Sequence, residues 1–148
     1  MNHIRFKKTY YSLKKNVKSL WLGCCLLTGL LVSETSFADV TLYHIVSQKE
    51  LITLTKNNIY TPEKFAEEGY IHFSKLSLIM PIANEAYKDK DVLFLLEVTF
   101  SDDNDNLKWI GDNPDYYLGL DLSMVAQKYE FTRNTNNQWV MPKTLLTD

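Results

Sequence analysis

The residues best able to do chemistry stand in one stretch, Glu68-Gly69-Tyr70-Ile71-His72-Phe73-Ser74, which runs on to Ala83-Asn84-Glu85-Ala86-Tyr87. Gly69 ends a helical pattern, so Tyr70 to Ser74 reads as a short strand. Its alternation puts a phenol, an imidazole and a hydroxyl on one face, and Ile71 and Phe73 on the other. A strand that buries its apolar side in this way can line a cleft with its polar side. A second imidazole, His44, lies in the β-branched and aromatic run Val40-Thr41-Leu42-Tyr43-His44-Ile45-Val46, where Leu42, His44 and Val46 share a face. If the two strands are neighbours in one sheet, His44 and His72 reach one small ligand. Each also has a plainer reading, as a core-edge histidine bonded to a backbone carbonyl. His72 and Ser74 sit two apart on one strand with no orienting acid in the same motif. A serine nucleophile is therefore not expected, and Ser74 is read as the cap of the helix that follows.

Other site chemistries find little to stand on. Asp102, Asn104 and Asn106 alternate like calcium ligands, but Leu107 stands where that loop needs glycine and Asn113 where it needs a closing glutamate. No H-x-x-x-H or paired-cysteine spacing supports zinc, so no metal is expected. There is no Gly-rich phosphate loop, and after residue 38 Arg133 is the one arginine, which tells against a ligand gripped by its pyrophosphate. Trp109, Tyr116 and Tyr117 either stack on a planar ligand or serve as core and rim aromatics.

The first 38 of the 148 residues read as an export signal. Arg5, Lys7, Lys8, Lys14, Lys15 and Lys18 form a basic start, Leu20 to Val32 an apolar core of 13 residues, and Ser36-Phe37-Ala38 a small-x-small cleavage site before Asp39. A membrane-spanning helix needs about 20 apolar residues, so the expectation is a cleaved signal, an exported periplasmic or secreted protein, and no stable membrane insertion. Cys24 and Cys25 both fall inside the signal. Residues 39–148, one domain by length, then hold no thiol. They carry ten Lys and Arg against 17 Asp and Glu, a formal charge of −7, which argues against nucleic acid as a partner.

Along that domain, Ser47 and Glu50 make a capping box for a helix through Leu51 and Leu54, stopped by Asn57-Asn58. Ile59-Tyr60 is a brief extended piece, and Thr61-Pro62 opens a second short helix to Glu68. Leu76 to Tyr87 keeps a helical period, with a kink or restart expected at Pro81. Val92-Leu93-Phe94-Leu95-Leu96, extended by Glu97 to Phe100, is an apolar run of strand length. It should be the central strand, buried on both faces. After an acidic turn, Leu107 to Ile110 reads as a short strand and Gly111 to Gly119 as irregular. Lys128 to Arg133 and Gln138 to Met141 read as a hairpin around Asn134-Thr135-Asn136-Asn137. With helices early and strands late, the class is α+β with a mostly antiparallel sheet.

Four motifs together resemble the bacterial family catalogued as domain of unknown function 952. Tyr43-His44-Ile45 resembles its opening Y-H-I, Tyr60-Thr61-Pro62 its Y-x-P, Glu68 to Ser74 its E-G-F-I-H-C-S, and Ala83-Asn84 with Tyr87 its A-N-x-F-Y. The resemblance implies the small fold of ADP-ribosyltransferases and RNA 2′-phosphotransferases, a twisted, mostly antiparallel sheet with helices inserted in the N-terminal half. It also implies a ligand site made of His44, Tyr60, His72, Ser74, Asn84, Tyr87 and Tyr117, with NAD or ADP-ribose as the ligands it points to. Where the family has W-E this chain has Trp109-Ile110, and the family's third histidine is Asp115 here, so the transferase glutamate has no counterpart. Three readings follow: a small nucleotide-like or peptide ligand bound in a His44/His72 cleft, an enzyme processing NAD or ADP-ribose, and an envelope protein-protein interaction domain.

Overall fold

A computed structural model describes residues 38–146. The expected signal up to residue 37, with Cys24 and Cys25, lies outside the described residues. From Asp39 the chain runs as β1 (Asp39–Ser47), α1 (Gln48–Thr53), β2 (Thr55–Lys56), β3 (Ile59–Tyr60), α2 (Phe65–Glu68), β4 (Ile71–His72) and α3 (Leu76–Ala86). The second half is mostly extended. It comprises β5 (Leu93–Ser101), β6 (Leu107–Ile110), β7 (Asn113–Tyr116), β8 (Leu120–Asp121), β9 (Val125–Glu130), β10 (Thr132–Arg133) and β11 (Trp139–Val140). The strands pair antiparallel in the orders β1-β5-β9, β4-β7-β6, β2-β3-β8 and β10-β11, so the class is α+β.

The apolar run at Leu93 forms the middle strand of the first sheet, as its composition predicts. Leu93 and Leu95 lie on one side and pack with Ile45, Ile79 and Ala83, while Leu96, Val98 and Phe100 lie on the other and pack with Leu42, Val46 and Phe73. A strand enclosed on both faces has no use for alternation, which is why the run reads as continuous. The Tyr70–Phe73 stretch does alternate: Ile71 and Phe73 are buried in the core, His72 is exposed and Tyr70 half-buried, while Ser74, expected on their face, is buried. Gly69 closes α2 in the left-handed region at φ 79°, a conformation that a side chain resists. Ser74 then joins this stretch to β1, exchanging two backbone bonds of 2.9 Å with Tyr43. That bridge brings the two histidine-bearing segments side by side.

Several elements differ from the reading of the sequence, each for a local reason. Ser47 does cap α1, accepting from the Glu50 N–H at 3.2 Å, but Asn57 and Asn58 are the two-residue turn of the β2–β3 hairpin. Their φ values of 50° and 66° are what such a turn demands, and asparagine tolerates them. The second helix begins at Phe65, since the Pro62 carbonyl closes a preliminary turn with the Phe65 N–H at 2.9 Å. α3 continues through Pro81 with no restart. Its N-cap is Lys75, and no side chain bonds there, so Ser74 does not cap it. Asn113–Tyr116 is a strand, not an irregular stretch, and is the middle one of its sheet. Pro114 fits because its carbonyl, which it keeps, accepts from the Phe73 N–H at 2.8 Å. Only Thr132–Arg133 pairs with Trp139–Val140 in the tail; Val125–Glu130 pairs with β5.

Candidate functional site

His44 sits on the face of β1 that continues Leu42 and Val46, and is 7% exposed. Its Nδ1 lies 2.8 Å from the carbonyl oxygen of His72. A carbonyl only accepts, so Nδ1 carries the proton. Burial lowers the His44 pKa to about 4, with the His72 carbonyl bond opposing that shift. The neutral ring therefore leaves Nε2 as a lone pair, and Tyr60 Oη, 3.3 Å away, donates to it. Tyr60 is 1% exposed at the end of β3, and burial followed by the nearby Glu50 charge raises its pKa. The plain reading of His44, a ring bonded to a backbone carbonyl, and the reading as part of a cleft wall therefore hold at once.

His72 presents the opposite character. Its side chain is 61% exposed, and Nδ1 stands 2.8 Å from Oδ1 of Asp115, whose own side chain is 4% exposed. The partner comes from β7, directly across the ladder from His72. No spacing within the motif could reveal this acid, which lies 43 residues away. The hint was that Asp115 occupies the position of the family's third histidine. With Nδ1–H given to the carboxylate, Nε2 faces outward, 3.7 Å from Glu68 Oε2. An imidazole held in one tautomer by a buried acid can accept or donate a proton at its free nitrogen.

Both histidines, with Tyr60, Tyr70, Ser74 and Tyr87, line one open cavity of about 740 Å³ between β1, α1, β3 and the 70–74 stretch. Tyr70, His72 and Ser74 also border a second, smaller hollow of about 350 Å³ on the side of Asn113 and Asp115. The Tyr87 hydroxyl donates to the Ile45 carbonyl at 3.2 Å, and burial, then the Glu50 charge, pushes its pKa up to about 12. Two residues named from the sequence are elsewhere. Asn84 clamps β11, donating to the Trp139 carbonyl at 3.1 Å and accepting from the Trp139 N–H at 2.8 Å. Tyr117 packs on Tyr70 at 5.4 Å between ring centroids and lines neither cavity. Tyr116 is a core aromatic against Phe73 and Phe100. Conversely, Glu50, seen in the sequence only as half of a capping box, lines the larger cavity.

Charged groups elsewhere are committed to structure. Arg133 gives its guanidinium to the carbonyls of Asn137, Lys88 and Lys90 at 2.5 to 2.8 Å and lies 3.7 Å over the Trp139 ring. Asp121 accepts from Ser123 N–H at 2.9 Å and Asn58 Nδ2 at 2.7 Å, bonds that lower its pKa and lock the β2–β3 turn. Asn104, from the calcium-like run, accepts from the Asn106 N–H at 3.0 Å in its own turn. Among the described residues, no cluster of three metal-binding side chains occurs, and no helix is long and apolar enough to cross a membrane.

No curated protein matches the chain. Two crystal structures of protein CC0527 from Caulobacter crescentus, one of them a double methionine variant, superpose with a TM-score of 0.63 at 20% identity, over 72% of this chain and 99% of theirs. The solution structure of CC0527 gives 0.57 at 20% identity, over 66% and 90%. At that identity the likeness speaks for the fold alone. The model of the protein-of-unknown-function family DUF952 matches residues 45–126, over half of the chain, and the chain belongs to that family.

Proposed function

We propose that this domain binds a small nucleotide-like or peptide ligand in the His44/His72 cavity, and does so after export to the periplasm or the medium. The observation that carries the reading is the cavity itself. A buried neutral imidazole, a buried phenol and an acid-held imidazole converge on one space of about 740 Å³, a size suited to a small molecule. The antiparallel sheet with early helices also suits an ADP-ribosyltransferase-like fold, which makes NAD and ADP-ribose the first ligands to try. Arg133 is spent on carbonyls, so Lys49, Lys64 and Lys90 in the lining would meet any phosphate.

The test is a thermal-shift screen of the purified protein against NAD, ADP-ribose and related nucleotides. A ligand at about 100 times its Kd adds roughly 2.7 kcal/mol and raises Tm by several degrees. His72→Ala is the cleaner variant, because His72 is exposed while His44 is built into the core. It should abolish the shift, read against the variant's own unliganded Tm, which falls because the buried Asp115 carboxylate loses its imidazole partner. An unaltered shift in that variant removes His72 from the site.

The His72–Asp115 pair favours a second reading, in which the domain turns its ligand over with His72 Nε2 moving a proton. Chromatography of NAD or ADP-ribose incubated with the protein tests it. Asp115→Asn should stop turnover while preserving the thermal shift, and the absence of product from the unsubstituted protein rules the reading out for these substrates.

A further inference from the structure

The donors around one carboxylate do not add up. Glu50 stands in the first turn of α1 and lines the larger cavity beside Tyr60, Tyr87 and His44. The hydroxyls around it have other acceptors to serve. The His44 ring already gives Nδ1–H to a carbonyl, so the single phenolic proton of Tyr60 is shared between Nε2 at 3.3 Å and the Glu50 carboxylate. Tyr87 donates to the Ile45 carbonyl at 3.2 Å. Ser47 Oγ offers Glu50 Oε2 one long contact of 3.4 Å. Lys64 pairs with Glu68 at 4.0 Å, and among the described residues no lysine or arginine lies within ion-pair distance of Glu50. An ionised carboxylate accepts at about four lone-pair sites and donates nothing.

We infer that Glu50 is the recognition carboxylate of this cavity, and that the ligand group docking there is a cationic nitrogen group: an ammonium, amidinium or guanidinium. The inference rests on the reading of the cavity as a ligand site. Such a group brings donors for the lone pairs that Ser47 and the shared Tyr60 proton leave open, and its charge is met by the acid and the tyrosines on the part of the lining away from Lys64 and its partner Glu68. The pull of Glu50 on both Tyr60 and Tyr87 agrees with a carboxylate directed into this space.

The test uses three probes of one shape and different charge: benzamidine, benzamide and benzoate. Each is titrated into the purified protein, with amide NMR shifts as the readout. Benzamidine should bind and move the resonances of Glu50, Tyr60 and Tyr87, while benzoate should not. Glu50→Gln keeps a residue able to complete the Ser47 capping box, so the fold and Tm should hold. That variant should weaken benzamidine binding roughly tenfold or more, the scale of a charge-assisted bidentate contact. Equal binding by the variant, or preference for benzoate, overturns the role of Glu50 and leaves the cavity a ligand site of other chemistry. No shift with any of these probes, together with a silent nucleotide screen, sinks both readings.

Discussion

At the scale of single residues, the buried neutral imidazole of His44 has a measurable consequence. Its pKa falls from 6.5 to about 4 in the folded chain. Between those values the unfolded chain binds a proton that the native one does not, so stability rises with pH through that window and is lost as pH falls from 6.5 to 4. The loss should amount to about 3 kcal/mol. The ring's neighbours are Tyr60 and Phe73 by contact and His72 through its carbonyl, with Glu50 acting on Tyr60. Denaturant unfolding at pH 7 and pH 4 should show that extra loss in the unsubstituted protein and not in His44→Gln; identical pH slopes would mean that the imidazole protonates without cost. Little of this was legible in the sequence. The strand face of His44 could be read from periodicity, whereas its partners lie 16 and 28 residues away. The acid behind His72 is likewise a product of strand pairing, across the β4–β7 ladder. Asn84, whose motif suggested ligand contact, serves the backbone of Trp139 instead, a role that its residue type allows equally well.

At the scale of elements, legibility followed burial. β5 was readable because burial on both faces demands an unbroken apolar run, and the 70–73 stretch because burial on one face demands alternation. β7 was unreadable for the converse reason. Pro114 and Asp115 both oppose a central strand, and both are tolerated because the proline carbonyl and the aspartate side chain find partners on β4 and its extension. Gly119 is constrained by space: a Cβ there would meet Ile59 Cγ2 at 2.6 Å and Thr61 Cγ2 at 3.1 Å, so any larger residue forces those side chains to shift. The sharpest element-level prediction concerns β5. Leu95 is 0% exposed, paired with Ile45 on one side and Tyr129 on the other. Leu95→Ala should cost about 2 to 5 kcal/mol in chemical denaturation, from lost transfer free energy and the cavity left behind. A loss below about 0.5 kcal/mol would contradict a central position for this strand.

At the scale of the whole molecule, the larger cavity belongs to no single sheet. β1 supplies His44, β3 supplies Tyr60, α1 supplies Glu50, the 70–74 stretch supplies His72, and Tyr87 follows α3. The Tyr43–Ser74 bridge, a contact that no local pattern announces, joins two of these walls. β1 in turn bears on the question of export. Its first residue, Asp39, is also the first after the expected cleavage site, and its Cα is in register with that of Ser101 at the far end of β5. A cut after Ala38 would therefore take nothing from the β1–β5 ladder, whereas a cut several residues later would unpair Val40, Thr41 and Leu42, the last of which is fully buried. If the signal reading holds, intact-mass measurement of protein recovered from a periplasmic or culture fraction should give a chain beginning at Asp39, with no lipid adduct on Cys24. A product beginning at Met1 would overturn the exported reading, and one beginning beyond Leu42 would mean that β1, and with it the His44 wall of the cavity, is not part of the mature fold.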